Sequence, residues 1–88
     1  MTLPELKERL IDMGHDDATL FVDPDYISAV IGVSEDGRVV YSYEKMTEHL
    51  MENGGMEIEE AQEFIDYNTV RALPYMGDKR PIIVYGLD

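Results

Sequence analysis

The sequence contains no cysteine and no tryptophan, and only seven of its 88 residues are basic. Without cysteine, disulfide bonds and thiolate metal sites are excluded, which is typical of proteins in a reducing compartment. No apolar run approaches the roughly 20 residues that a membrane-spanning helix requires. The chain also begins without the basic start and the apolar run of a secretion signal. We therefore expect a soluble, cytoplasmic protein.

The most unusual property of the composition is its negative charge. Nineteen acidic residues oppose seven basic ones, for a net charge of −12 at pH 7. This charge repels nucleic acids and anionic membranes, so we expect neither to bind the chain directly. It attracts basic protein surfaces, including those that normally bind DNA or RNA. Two interpretations stay open, a specific basic partner or a charge that serves solubility alone.

The hydrophobic pattern predicts one globular domain over residues 1–88, with an α+β fold. A first helix is predicted at about 3–13, because Thr2 and Glu5 have the spacing of a capping box. Gly14 follows as a helix-ending residue in the left-handed conformation. The apolar stripe of this helix consists of Leu3, Leu6, Leu10 and Met13.

A central β-hairpin is predicted over residues 26–43. Residues 26–33 alternate and residues 38–43 are rich in strand formers. The alternation places on one face Ile27, Ala29, Ile31 and Val33. Residues 34–37 have the composition of a turn, with Gly37 supplying a positive φ. Residues 82–85 are continuously apolar and predict a C-terminal strand in a central or well-covered position of a mostly antiparallel sheet.

Two more helices are predicted between the hairpin and the last strand. One covers about 44–53 and stops at the glycine pair Gly54-Gly55. The other begins at Met56 and ends near Ala72, because Pro74 disfavours helix in the residue before it. The residues predicted to face inward are Met46, His49 and Leu50, with Met51 as a further candidate, and then Ile58, Ala61, Phe64 and Ile65, continued by Asn68 or Thr69. Three helices would then pack on the small sheet.

The sequence shows no recognisable catalytic apparatus. Nucleophilic catalysis needs an activated side chain beside a base, and His15 and His49 have no acidic partner at a distinctive spacing. Asp23 and Asp25 are candidate ligands for a hard cation in a metal-dependent hydrolase. Asp-Pro-Asp is also an ordinary turn sequence and lacks the spaced ligands of a calcium loop. We therefore predict no enzymatic activity, no cofactor and no divalent metal required for folding.

Acidic residues concentrate in residues 44–66, where eight acids and one base give a net charge of −7. Two rows stand out, Glu44, Glu48 and Glu52 on one helix and Glu59, Glu63 and Asp66 on the next. Neighbours in such a row lie about 5–6 Å apart along a helix face. Phosphates along a DNA strand have a comparable spacing, so these rows would imitate DNA toward a basic groove. A merely solvated helix face is the alternative.

Residues 64–75 form a second candidate stretch. Tyr67, Arg71 and Tyr75 belong to the residue types that anchor protein interfaces, and they are candidate anchors for a partner. The structural alternative is that Asn68 caps backbone groups near the helix end and that Arg71 pairs with a nearby acid.

A resemblance is carried by IGVSEDGRVVY at 31–41 and FIDYNTVRALPY at 64–75. These segments resemble a group of small acidic proteins encoded by phages and prophages of Gram-positive gut bacteria. No catalytic residue is assigned in the group, so the resemblance implies a context and not a reaction. Small acidic phage proteins often block a host protein, as anti-CRISPR and antirestriction proteins do.

The predicted function is a non-enzymatic, phage-type binding protein that covers a basic surface of a host or phage protein. In its sharpest form it inhibits a nucleic-acid-binding defence protein by DNA mimicry. The alternatives are a structural or housekeeping protein whose charge serves solubility, and the metal-dependent hydrolase. The predicted partner-binding residues are Glu44, Glu48, Glu52, Glu59, Glu63, Asp66, Tyr67, Arg71 and Tyr75.

Overall fold

The computed structural model describes residues 1–87 and confirms the α+β fold. The helices are α1 (Leu3–Asp12), α2 (Tyr43–Gly54) and α3 (Ile58–Phe64). The strands are β1 (Val30–Val33), β2 (Val39–Ser42) and β3 (Ile82–Val84). Shorter helical segments are a 3₁₀ turn at Ile27–Ala29, a π-helical segment at Ile65–Thr69 and a 3₁₀ helix at Val70–Tyr75. None of the helices within residues 1–87 combines the length and the apolar character that crossing a membrane demands.

The sheet has the order β1-β2-β3. β1 and β2 pair antiparallel, which confirms the hairpin, whereas β3 pairs parallel with β2. The chain passes through α2 and α3 between β2 and β3, and such a crossover is what parallel pairing requires. β3 is therefore an edge strand, with Ile82 and Ile83 half-buried and Val84 37% exposed, so the predicted central or well-covered position is wrong. An apolar run indicates burial of a strand but does not specify how many neighbours it has.

Helix α1 begins as its sequence predicts. The backbone N–H of Glu5 donates to Thr2 Oγ1 at 3.3 Å, and the N–H of Thr2 donates to Glu5 Oε1 at 3.2 Å. Leu6 and Leu10 are buried. The helix ends at Asp12, one residue earlier than predicted, and Met13, expected in the apolar stripe, is 56% exposed.

The first predicted strand is correct only in its second half. Residues 27–29 form a 3₁₀ turn, and Tyr26 before it adopts a left-handed backbone with φ 49° and ψ 34°. For a non-glycine residue this conformation costs roughly 1–2 kcal/mol. A bulge between Val30 and Gly32 leaves Ile31 unpaired and 51% exposed. The predicted alternation fails because the turn and the bulge each shift which side chains point inward.

The hairpin turn has the predicted glycine geometry. Gly37 has a φ of 83°, and its N–H donates to the carbonyl of Ser34 at 3.0 Å. A Cβ at this position would lie 2.5 Å from Nδ1 of His15, so the turn also needs the space that glycine leaves. The segment before β3 holds the turn from the other side, since Arg38 Nε donates to the carbonyl of Arg80 at 2.7 Å. Gly37 is therefore required by both its backbone and its neighbour.

Helix α2 lies within one residue of its predicted bounds. Ser42 caps its start, accepting from the N–H of Lys45 at 3.3 Å, and Gly55 ends it with a φ of 66°. Tyr43, expected in the strand, is the first helical residue because the cap lies at Ser42. The inward-facing residues Met46 and Leu50 are buried as predicted.

The core centres on aromatic rings. Phe21 lies edge-on to Tyr26, with ring centroids 5.6 Å apart, and its centroid is 4.7 Å from that of Tyr41. The hydroxyl of Tyr41 accepts from the N–H of Phe21 at 3.3 Å. Burial raises the pKa of Tyr41 to about 12. Met46 and Ile65 are fully buried around this cluster, and both come from the helical half of the chain.

The helix predicted from Met56 to Ala72 is not one regular helix. It begins at Ile58, changes to a π-helical segment after Phe64, and continues as a 3₁₀ helix to Tyr75, with Pro74 inside it. The residues that face the core are Ala61, Ile65 and Thr69, each four residues after the last. In an α-helix such a row drifts around the axis, and a wider π turn keeps its last member facing inward. Asn68 supports the wide turn by donating from its side-chain amide to the carbonyl of Phe64 at 3.2 Å.

Candidate functional site

The acidic side chains of residues 44–66 lie on the surface. All eight of these acidic residues are exposed: Glu44, Glu48, Glu52, Glu57, Glu59, Glu60, Glu63 and Asp66. They come from α2, from α3, from the connection between these helices and from the π-helical segment. Helices α2 and α3, which carry six of these eight acids, pack against each other.

A groove of about 330 Å³ lies between α2, α3 and the segment that follows β3, and we call it the α2–α3 groove. Its lining is Tyr43, Glu44, Thr47, Glu48 and Met51 from α2, Ile58 and Gln62 from α3, and Tyr85 and Gly86. Its apolar members are partly open to solvent, with Met51 39%, Ile58 52% and Tyr85 56% exposed. The groove therefore combines apolar side chains with two carboxylates.

Two contacts hold the C-terminal segment against α2. The Tyr43 and Tyr85 rings lie 4.6 Å apart between centroids. The N–H of Gly86 donates to Glu44 Oε1 at 3.0 Å. Glu44 is thus committed in part to the fold, whereas Glu48, one turn later, borders the same groove.

Asp66 is tied to the groove through Tyr43. The hydroxyl of Tyr43 donates to Asp66 Oδ1 at 3.2 Å. Burial, followed by the negative charge of Asp66, raises the pKa of Tyr43 to about 12. The carboxylate keeps its exposed position and holds α2 and the π-helical segment together at this point.

The structure separates the other predicted acids from the groove. Within residues 1–87, Glu52, Glu59 and Glu63 lie outside the groove lining, and all three are exposed. Residues four apart turn by about 40° around an α-helix, so a row of three does not stay on one narrow face. Of the predicted acids, the structure therefore brings Glu44 and Glu48 to the groove and leaves Glu52, Glu59 and Glu63 exposed outside its lining.

The predicted anchors lie after α3, Tyr67 in the π-helical segment and Arg71 and Tyr75 in the 3₁₀ helix. Tyr67 is 67% exposed, and the guanidinium of Arg71 lies over its ring at 5.5 Å from the centroid, a cation–π contact. Tyr75 is 90% exposed. Among the described residues, these three side chains lie outside the lining of the α2–α3 groove. The structure therefore brings together Tyr67 and Arg71, but not the anchors and the groove.

A second pocket was missed by sequence reasoning. It has a volume of about 280 Å³ and lies between residues 20–26 and residues 64–76. We call it the Tyr26 pocket. Its polar lining includes Asp23, Tyr26, Asn68 and Thr69. Nothing in the sequence marks it, because Tyr26 and Thr69 are 43 residues apart and meet only through the π-helical segment.

Two of the residues considered for chemistry, His49 and Asp25, make contacts within the fold. His49 Nδ1 lies 3.0 Å from Ser28 Oγ, and its ring packs on Tyr26 at 5.7 Å between centroids. Asp25 Oδ1 accepts from the N–H of Ile27 at 3.1 Å, which forms a local turn. Within residues 1–87, no group of three or more histidine, aspartate or glutamate side chains is placed to hold a metal ion.

Comparison with known proteins identifies neither of the two candidate sites. No protein-family model, curated protein or solved structure matches this chain. The resemblance to acidic phage proteins stays a prediction.

Proposed function

We propose that this protein is a non-enzymatic binding module that covers a basic surface of another protein through the α2–α3 groove and the acidic surface around it. The observation that carries the proposal is the α2–α3 groove, in which exposed apolar side chains lie beside Glu44 and Glu48. Protein interfaces typically place apolar contacts at the centre and charge at the rim.

The groove fits an apolar side chain flanked by lysine or arginine. Met51, Ile58 and Tyr85 would contact the apolar part of such a partner, and Met51 adapts readily to different shapes. Glu48 and the surrounding exposed acids would attract its basic part. Charge of this kind mainly accelerates association and selects partners, while the apolar contacts slow dissociation.

The finer form of the proposal is an inhibitor that occupies the nucleic-acid-binding surface of a defence protein, as the phage resemblance implies. A net charge of −7 over residues 44–66 supports it, since such a surface competes with phosphates for lysine and arginine. The alternative is that the charge serves solubility alone. In that case, replacing acids at any position would have the same effect on the association rate with a basic partner.

The test measures the association rate of a short helical peptide with lysines on one face and leucines on the other. We expect the rate to fall about tenfold between about 50 and 500 mM NaCl, because salt screens the attraction. The variant changes Glu48, Glu52, Glu59 and Glu63 to Gln. Glu44 and Asp66 stay unchanged because each makes a hydrogen bond within the fold.

The matched control changes four exposed acids elsewhere, Glu8→Gln, Asp12→Asn, Asp16→Asn and Asp17→Asn. Both variants change the net charge from −12 to −8, since each loses four negative charges. We expect the first variant to bind the peptide several-fold more slowly and the control to remain close to wild type. Equal losses in both would show that only total charge matters and would refute the proposal.

A further inference from the structure

The Tyr26 pocket contains a buried pair of hydroxyl groups. Tyr26 is 1% exposed and Thr69 is 6% exposed, and both line the pocket. The oxygen of Tyr26 lies 2.9 Å from Thr69 Oγ1. The two hydroxyls carry two hydrogens, and the bond between them uses one. Within residues 1–87, this is the one hydrogen bond that the structure shows for either group, so a second O–H donor stays available.

The other buried threonine shows why this is unusual. Thr47 in α2 donates to the carbonyl of Tyr43 at 3.0 Å, the local bond that a helical threonine commonly makes. Thr69 lies in the π-helical segment and instead pairs with Tyr26, 43 residues away. Its hydroxyl is thereby directed to a distant element that also lines the pocket.

The remaining lining specifies what kind of ligand would fit. Most of the wall is apolar, with Leu20, Phe21, Pro24, Phe64 and Met76 among its members. Asp23 is exposed at this pocket and would repel an anion, as would the net charge of −12.

Two backbone irregularities meet at the same pocket. Tyr26 has a left-handed backbone, and Asn68 and Thr69 belong to the π-helical segment. Strained residues and π turns occur disproportionately at binding sites, because they point side chains in directions that regular helices and strands do not allow. Here they bring the hydroxyl pair and the apolar wall together.

We propose that the Tyr26 pocket binds a compact, uncharged ligand with an apolar body and one hydrogen-bond acceptor, which takes the free O–H of the Tyr26–Thr69 pair. Its volume of about 280 Å³ accepts a molecule about the size of a substituted benzene ring. Within the described residues, its lining has no member in common with the α2–α3 groove, so this site is independent of the proposed binding face.

The test is a titration followed by backbone amide NMR shifts, with benzamide, benzoate and toluene as probes. We expect benzamide to shift the amides of Tyr26, Asn68 and Thr69 in a saturable way. Benzoate should bind several-fold more weakly, and the Asp23→Asn variant should reduce that difference. The double variant Tyr26→Phe with Thr69→Val removes both hydroxyls while keeping the shape, and it should bind benzamide about 3–10-fold more weakly. Its affinity for toluene should be unchanged.

The matched control is Tyr67→Phe, which removes an exposed hydroxyl from the same π-helical segment. It should bind all three probes like wild type. The proposal fails if benzamide gives no saturable shift at the pocket, or if the double variant binds benzamide as tightly as wild type does. The toluene arm shows that the variant retains its pocket, so a lost fold cannot be taken for a lost hydrogen bond.

Discussion

Helix α2 and the helical region that follows it, Ile58–Tyr75, are built in different ways. Helix α2 has a side-chain cap at Ser42 and a left-handed glycine after its last residue, and it is α-helical throughout. The later region is preceded by Glu57. Within residues 1–87, the side chain of this residue makes no capping hydrogen bond. The later region then passes from α to π to 3₁₀ geometry within 18 residues, from Ile58 to Tyr75.

The difference lies in how each region treats its buried polar groups. In α2, Thr47 is satisfied by its own helix. In the later region, Thr69 shares its hydrogen bond with Tyr26 from another part of the chain. In α2 the buried threonine bonds within its own helix, so the outer surface of the helix is what a partner can contact. In the irregular region the hydroxyl of Thr69 lies at a pocket, so one candidate site is a surface groove and the other is a pocket.

The largest expected effect tests whether the π-helical segment is held in place by the buried side chain of Ile65. Ile65 is fully buried, and Ile65→Ala should lower the free energy of unfolding by about 2–5 kcal/mol, because it leaves a cavity in the core. Ile58→Ala in α3 is the control, since Ile58 is 52% exposed. Urea denaturation of both variants measures the difference. Equal losses would mean that the irregular segment is not anchored through Ile65.

The next effect concerns alkaline pH and depends on the buried tyrosines, two of which bond to the later region: Tyr43 to Asp66 and Tyr26 to Thr69. The pKa of Tyr41 in β2 and that of Tyr43 in α2 are each raised to about 12, and burial also raises the pKa of Tyr26. A folded-state pKa above the unfolded value of about 10 contributes stability that is complete below pH 10 and is lost as pH rises toward 12. For Tyr41 the loss should reach about 2–3 kcal/mol near pH 12.

Urea denaturation at a series of pH values from about 8 to 11.5 measures this loss. Tyr43→Phe should flatten the curve, because phenylalanine has no proton to lose, and Tyr26→Phe should flatten it by a separate amount. A stability that stays constant up to pH 11.5 in wild type would contradict the burial of these hydroxyls.

The smallest effect compares the two buried threonines. Thr69→Val should cost about 1–3 kcal/mol, because it leaves the Tyr26 hydroxyl buried without a partner. Thr47→Val should cost less than about 1 kcal/mol, because the carbonyl of Tyr43 keeps its backbone partner in the helix. Adding Tyr26→Phe to Thr69→Val should recover most of the loss. If the two threonine variants cost the same, the contrast between the regions is wrong.

Several elements were predictable because their signals are local. The capping box of Thr2 and Glu5, the positive φ of Gly37 and the bounds of α2 each depend on residues within about four positions. Of the candidate site, the sequence predicted exposed acids, and all eight are exposed. It could not predict that Glu48 borders a groove while Glu52 does not, because the groove also needs α3 and residues 85–86.

The sequence by itself determined where turns, caps and the regular helix would lie, together with the charge on the surface. Tertiary structure alone decided that β3 pairs parallel at an edge, that Tyr26 takes a left-handed backbone and that a π turn carries Thr69 to it. The physical reason is distance along the chain. A cap or a glycine turn lowers its free energy with its nearest neighbours, whereas a strained residue or a wide helical turn persists only when packing from remote segments compensates its cost.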